Sequence, residues 1–147
     1  MRTRQIESRD GRRTLAIVFG SGDEAAQGLV ASAQEHGVSG AYFTGIGAFR
    51  EVTLGYWESE TKDYRRIPVR EQVEVLSLTG NVALSPDGAP RVHAHVVIGK
   101  ADGTAHGGHL LEGYVRPTLE VILVESPHHL QRTHDPETGL ALIDVGA

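Results

Sequence analysis

At 147 residues the chain has the length of one domain and can bury a core without covalent or metal staples. It contains no cysteine, which excludes disulfides, thiolate ligands and cysteine nucleophiles. The formal net charge of −5, with a pI of about 5.9, argues against nucleic-acid binding by the whole surface. No apolar run is long enough to span a bilayer, and Met1-Arg2-Thr3-Arg4 leads into no apolar stretch of the kind a secretion signal carries. A cytoplasmic location is the expectation.

Residues 1–13 are read as a basic N-terminal arm ahead of a domain over 14–147. The arm holds Arg2, Arg4, Arg9, Arg12 and Arg13 against Glu7 and Asp10. Such an arm can touch phosphates, but a solvated, fraying terminus is the favoured reading. Thr14 to Phe19 reads as a buried first strand. Gly20-Ser21-Gly22 breaks it, and Ser21 with Glu24 fits a capping box. Ala25, Ala26, Leu29, Val30 and Ala33 follow at helical spacing, and Gly37 closes the turn. One amphipathic helix over about residues 23–36 is expected.

Beyond the helix the pattern predicts strands over 40–43, 52–57, 64–69, 72–84, 91–99, 105–111 and 118–125, with a last short one over 140–145. Ser85-Pro86-Asp87-Gly88 and Ala101-Asp102-Gly103 are turn sequences. The short spacing favours antiparallel hairpins over βαβ units. The expected fold class is therefore α+β, a largely antiparallel sheet with one main helix.

The histidines carry the chemistry. In Val92-His93-Ala94-His95-Val96-Val97, side-chain alternation puts Val92, Ala94, Val96 and Ile98 on one strand face, wholly apolar. His93 and His95 lie on the other, facing a cleft, an interface or solvent. Their Cβ atoms stand roughly 6.5–7 Å apart at ~3.3 Å rise per residue, close enough for two imidazoles to reach one metal. A third ligand must come from the next strand across the tight Ala101-Asp102-Gly103 connection. There His109 follows Gly107-Gly108, which permit close backbone approach. His106, three residues earlier, falls on the opposite face and ranks below it. Spacing alone leaves three readings open: a metal site, three surface histidines without metal, or an interface that uses imidazole hydrogen bonds.

His36 sits in the helix's last turn, where its charge suits the dipole. His36, His128, His129 and His134 are read as structural. Gly45-Ile46-Gly47-Ala48 lacks the third glycine and the helix of a dinucleotide fingerprint; a tight turn or close packing is the better reading. Glu74 and Glu120 lie within strands among aliphatic residues. Either can orient a liganding histidine or act as a base beside metal-bound water, or pair with Arg70 or Arg116, and the structural role is favoured for both.

Several segments occur together in order: Gly45-Ile46-Gly47-Ala48, Leu54-Gly55-Tyr56, the run from Glu74 to Asn81, Val92-His93-Ala94-His95, Gly107-Gly108-His109-Leu110 and Thr118-Leu119-Glu120-Val121. The combination resembles the plant and prokaryote conserved domain from about Thr14 to Leu142. The resemblance implies an α+β fold, a homotrimer, and a metal cluster of His93, His95 and His109 near a subunit interface, with zinc or another divalent transition metal the expected ion and a small molecule a candidate ligand at it. In plants that domain accompanies AT-hook motifs in DNA-binding proteins. This chain has no Arg-Gly-Arg-Pro hook. The expected function is a small trimeric binding or regulatory domain. The alternatives are a metalloenzyme with Glu74 or Glu120 as base, and DNA binding through the arginine-rich arm.

Overall fold

The computed structural model describes residues 1–126 and 130–146. The elements in chain order are β1 (Arg2–Arg9), β2 (Arg12–Gly20), α1 (Ala25–Glu35), β3 (Gly40–Glu58), β4 (Asp63–Val69), β5 (Val73–Leu84), β6 (Pro90–Gly99), β7 (Ala105–Glu125), β8 (Gln131–His134) and β9 (Ala141–Asp144). Every strand pairing is antiparallel except the single β5–β8 bridge, Leu84 with Gln131. The expected class, a mostly antiparallel sheet with one helix, is what the chain forms.

Alternation dictates the core. Leu15, Ile17 and Phe19 of β2 are buried, and so are Ala41 and Phe43 of β3, Leu78 and Val82 of β5, Ala94, Val96 and Ile98 of β6, and Leu119, Val121 and Leu123 of β7. Four strands make a closed circuit: β3 pairs with β5, β5 with β6, β6 with β7, and β7 with β3. Each of the four strands is thus paired on both sides over at least part of its length, β6 from His95 to Gly99. β2 extends the sheet from β7, and β1 pairs with β2. The N-terminal residues expected to fray are thus a strand.

Two expected strand pairs are single long strands. Residues 40–43 and 52–57 belong to the 19-residue β3, and 105–111 and 118–125 belong to the 21-residue β7. The Gly45-Ile46-Gly47 segment continues as strand through a register shift against β5 and is not a turn. Gly47 has φ +153, and a Cβ there would stand 2.3 Å from the Thr118 carbonyl oxygen, so close packing of β3 on β7 requires glycine. Pro117, which has no N–H to give to a ladder, falls where the β3–β7 register skips from Phe49–Val115 to Gly47–Leu119. β8 has no counterpart in the sequence reading. Its four residues show a single buried position, too little for a periodic signal.

The helix starts later than expected. Asp23 N donates to Gly20 O, and Gly20 N donates to the Asp23 carboxylate, which holds residues 20–23 in a turn. Glu24 is therefore the N-cap in place of Ser21, its carboxylate accepting from Ala26 N and Gln27 N. The same carboxylate accepts from Gly113 N of β7 at 2.8 Å, tying the helix start to the sheet. At the other end Gly37 adopts φ +63, as a helix stop requires, and His36 Nδ1 donates to Ser32 O at 3.0 Å.

Candidate metal centre

β6 carries His93 and His95 on the face opposite its buried residues, and β7 carries His109 directly opposite His95. Directly paired residues share a sheet face. The close approach of the strands rests on glycine: a Cβ on Gly80 would meet the His93 carbonyl oxygen at 2.3 Å, and one on Gly108 the Gly55 carbonyl oxygen at 2.9 Å. His106 pairs with Ile98, three residues along β6 from His95, and does not join the group.

The three imidazoles converge. One ligand-capable nitrogen from each of His93, His95 and His109 lies within 4.8 Å of the others. His93 Nε2 and His95 Nε2 are 3.2 Å apart, and the ring centroids are separated by 5.1, 5.1 and 5.4 Å. Two nitrogens at ~2.05 Å from a tetrahedral ion stand about 3.4 Å apart. The observed spacing thus fits a three-imidazole donor set with small ring adjustments.

Electrostatics favour the neutral form of His93 and His109. Burial, then the neighbouring His93 and His95, push the His109 pKa down from 6.5 to about 4. Burial, then His95 and Arg132, lower that of His93. Neutral imidazole is the form that ligates a metal. Tyr64 of β4 stacks on His109 with centroids 4.5 Å apart, and its hydroxyl lies 3.4 Å from His109 Nδ1. Trp57 braces Tyr64 edge-on at 5.0 Å. Such outer contacts fix the orientation of a liganding ring.

Glu74 and Glu120 are not at this site. Glu74 pairs with Gly99 of β6, four residues from His95, and Glu120 pairs with Val18 and Ile46. Both are exposed, which agrees with the structural role favoured for them, and neither is placed beside the histidines as the alternative role of base would need. His134 ends β8, while His128 and His129 lie outside the described residues.

A cavity of about 570 Å³ opens beside the histidines, with His93, His109, Tyr64 and Arg132 in its wall. Arg132 and Tyr64 escaped the sequence reading as site residues. Nothing in their local sequence distinguishes them, since β8 meets the sheet through one bridge and Tyr64 sits in an ordinary hairpin strand.

The sequence pattern of the Plants and Prokaryotes Conserved (PCC) domain matches residues 6–127. The chain belongs to this family. Among solved structures, a plant- and prokaryote-conserved protein of Pyrococcus horikoshii is 36% identical, with TM-score 0.83 over 90% of this chain and 91% of that one. A metal-containing protein of Archaeoglobus fulgidus is 34% identical, with TM-score 0.81 over 88% and 91%. A protein of Bacteroides thetaiotaomicron named as a candidate DNA-binding protein is 29% identical, with TM-score 0.85 over 96% of each chain. The α-acetolactate decarboxylase of Bacillus subtilis shares the PCC fold alone, at 13% identity and TM-score 0.56 over 86% of this chain and 58% of that one. A bifunctional GlmU protein of a Synechococcus strain is 34% identical over 103 residues, which are 69% of this chain and 15% of that protein. The chain thus spans only a small part of that relative. No helix among the described residues is long and apolar enough to cross a membrane.

Proposed function

We propose that this PCC domain is a metal-dependent binding module, in which His93, His95 and His109 hold one divalent transition ion, zinc, and the adjoining cavity receives a small molecule. The convergence of three imidazoles on one point carries this reading. A metal-containing relative at 34% identity supports it. Bound there, a zinc ion would offer Lewis acidity to an oxygen donor. The chain's own contribution is to orient the His109 ring through Tyr64 and to leave one side of the group open to the cavity. That open side is what a metalloenzyme also needs, and it keeps catalysis as the alternative within the same site.

The module is further proposed to act as a cytoplasmic homotrimer with the metal near a subunit interface. Support comes from the outer sheet face. Tyr42 pairs with Asn81 and Asn81 with His93, while Thr44 pairs with Thr79 and Thr79 with His95. Tyr42 (63% exposed), Ile46 and Ile122 are uncovered apolar side chains on this face, which continues to the histidines. Exposed apolar patches of this kind mark interfaces.

Metal analysis of the purified protein, with thermal unfolding before and after chelation, tests the metal. About one zinc per chain and a fall in Tm on chelation are expected; metal-free protein indifferent to added zinc would refute the assignment.

DNA binding is the second reading. It is supported by the relative named for that role and by Arg2, Arg4, Arg9 and Arg12, all exposed on the β1–β2 hairpin. Arg13 is engaged elsewhere, bonded to Glu125 at 2.6 and 2.7 Å. Salt-dependent retention of duplex DNA that is lost in an Arg2→Ala, Arg4→Ala variant would favour this reading, and retention unchanged by that variant would remove the hairpin from it.

A further inference from the structure

The cavity beside the histidines contains a positive charge with no negative partner among the described residues. Arg132 is only 7% exposed. Its Nη2 donates to Asn81 Oδ1 at 2.6 Å and its Nη1 to Ala141 O at 3.0 Å, both neutral acceptors. Arg13, another partly buried arginine, meets a carboxylate, that of Glu125. Among the described residues no carboxylate lies within ion-pair distance of Arg132. Asp87 also lines the cavity, but it accepts from Ser85 Oγ and Ala89 N and stands 3.9 Å from Arg91.

A guanidinium stays protonated at any ordinary pH. Taking it out of water without a counter-ion is costly, so a fold that retains one beside a cavity is built to meet an anion there. Its planar array of N–H donors can grip a carboxylate through two parallel hydrogen bonds. Among the described residues its five N–H donors make only these two bonds, to Asn81 and Ala141, and Arg132 lines the cavity. Val92, Leu140 and Leu142 supply apolar wall to the same cavity, which favours an anion with a carbon chain over a fully hydrated inorganic one.

We propose that Arg132 is the anchor of a small organic carboxylate, whose short apolar chain lies against Val92, Leu140 and Leu142 in the cavity shared with His93 and His109. This names the ligand class of the metal-dependent module and rests on that reading for its setting. The guanidinium contact itself requires no metal.

Calorimetric titration of the full chain, zinc-loaded and zinc-free, with butyrate, butyramide and inorganic phosphate tests the proposal. Butyrate should bind ten- to a hundredfold more tightly than the neutral isostere butyramide, the range expected for a charge-assisted contact. Arg132→Gln, which keeps a donor for Asn81, should abolish that preference while zinc content is unchanged. Equal binding of butyrate and butyramide, a preference that survives Arg132→Gln, or binding of phosphate without butyrate would each overturn the proposal. Failure to take up zinc, with the butyrate preference intact in the zinc-free protein, would sink the metal reading and leave this one standing. If Arg132→Gln does not fold, the butyrate–butyramide comparison in the wild type still decides, together with the Arg132 Nε–H resonance, which must move on adding butyrate and not butyramide.

Discussion

His95 and His109 face each other across two antiparallel strands in direct register, with ring centroids 5.4 Å apart. His93, two residues along β6, completes the group. Register therefore selects the third member: a shift of three residues would have presented His106.

This makes a discriminating pair of substitutions. His95→Ala and His109→Ala should each reduce zinc content from about one per chain to near zero under dialysis, and remove the chelator-sensitive part of Tm. A ligand at 1,000 times its Kd adds ~4 kcal/mol, so that part is readily measured. His106→Ala should leave zinc content at the wild-type level.

The pH dependence follows from the depressed imidazoles. His109 titrates near 4 in the folded chain against 6.5 in the ordinary state, so the unfolded chain binds more protons between these values. Stability of the metal-free protein is fully present above pH 6.5 and falls as the pH drops towards 4. The upper bound is about 3 kcal/mol, reduced by solvent because the ring is only half-buried. Urea midpoints at pH 7.5, 5.5 and 4.5 should fall in that order, and His109→Gln should flatten the series. Metal affinity of the folded chain should hold through this window and weaken as the pH approaches 4, where a proton begins to compete for His109.

Gly28 in the middle of α1 inverts the usual helix rule. Alanine is ordinarily better there by about 1 kcal/mol, yet a Cβ on Gly28 would stand 2.3 Å from Phe19 Cε1, and Phe19 is fully buried. Gly28→Ala should destabilise the fold by about 1–3 kcal/mol through overpacking, measured by chemical denaturation. An unchanged or higher midpoint would show that helix and sheet are less tightly apposed.

Glu24 caps the helix and also accepts from Gly113 N. Glu24→Ala should cost about 1–2 kcal/mol, with Glu24→Gln intermediate because one carbonyl oxygen remains to accept. Denaturant midpoints of the two variants give the order directly.

The proposed trimer makes a separate demand on Ile46, 62% exposed in the isolated chain. Ile46→Asp should leave the fold intact and convert a trimeric sedimentation boundary into a monomeric one. Zinc content should persist, because all three histidines come from one chain.

Much of this protein was legible in its residues. The helix, the strand segments and the α+β class follow from apolar periodicity and turn chemistry, which are local. The face occupied by His93 and His95 follows from strand parity, and the preference for His109 from parity across a tight turn. The joining of β3 and β7 into long strands was not legible, because Gly45-Ile46-Gly47 and Arg116-Pro117 break the local pattern while partner strands hold the chain extended. Nor was the distance of Glu74 and Glu120 from the histidines, which depends on register across β5, β6 and β7. The sequence by itself determined which histidines leave the core face and which segments form strands, since both are read from neighbours a few residues away. Only the tertiary structure decided that Arg132 and Tyr64 stand with them around one cavity, because they come from strands far apart in the chain whose proximity depends on how the sheet closes.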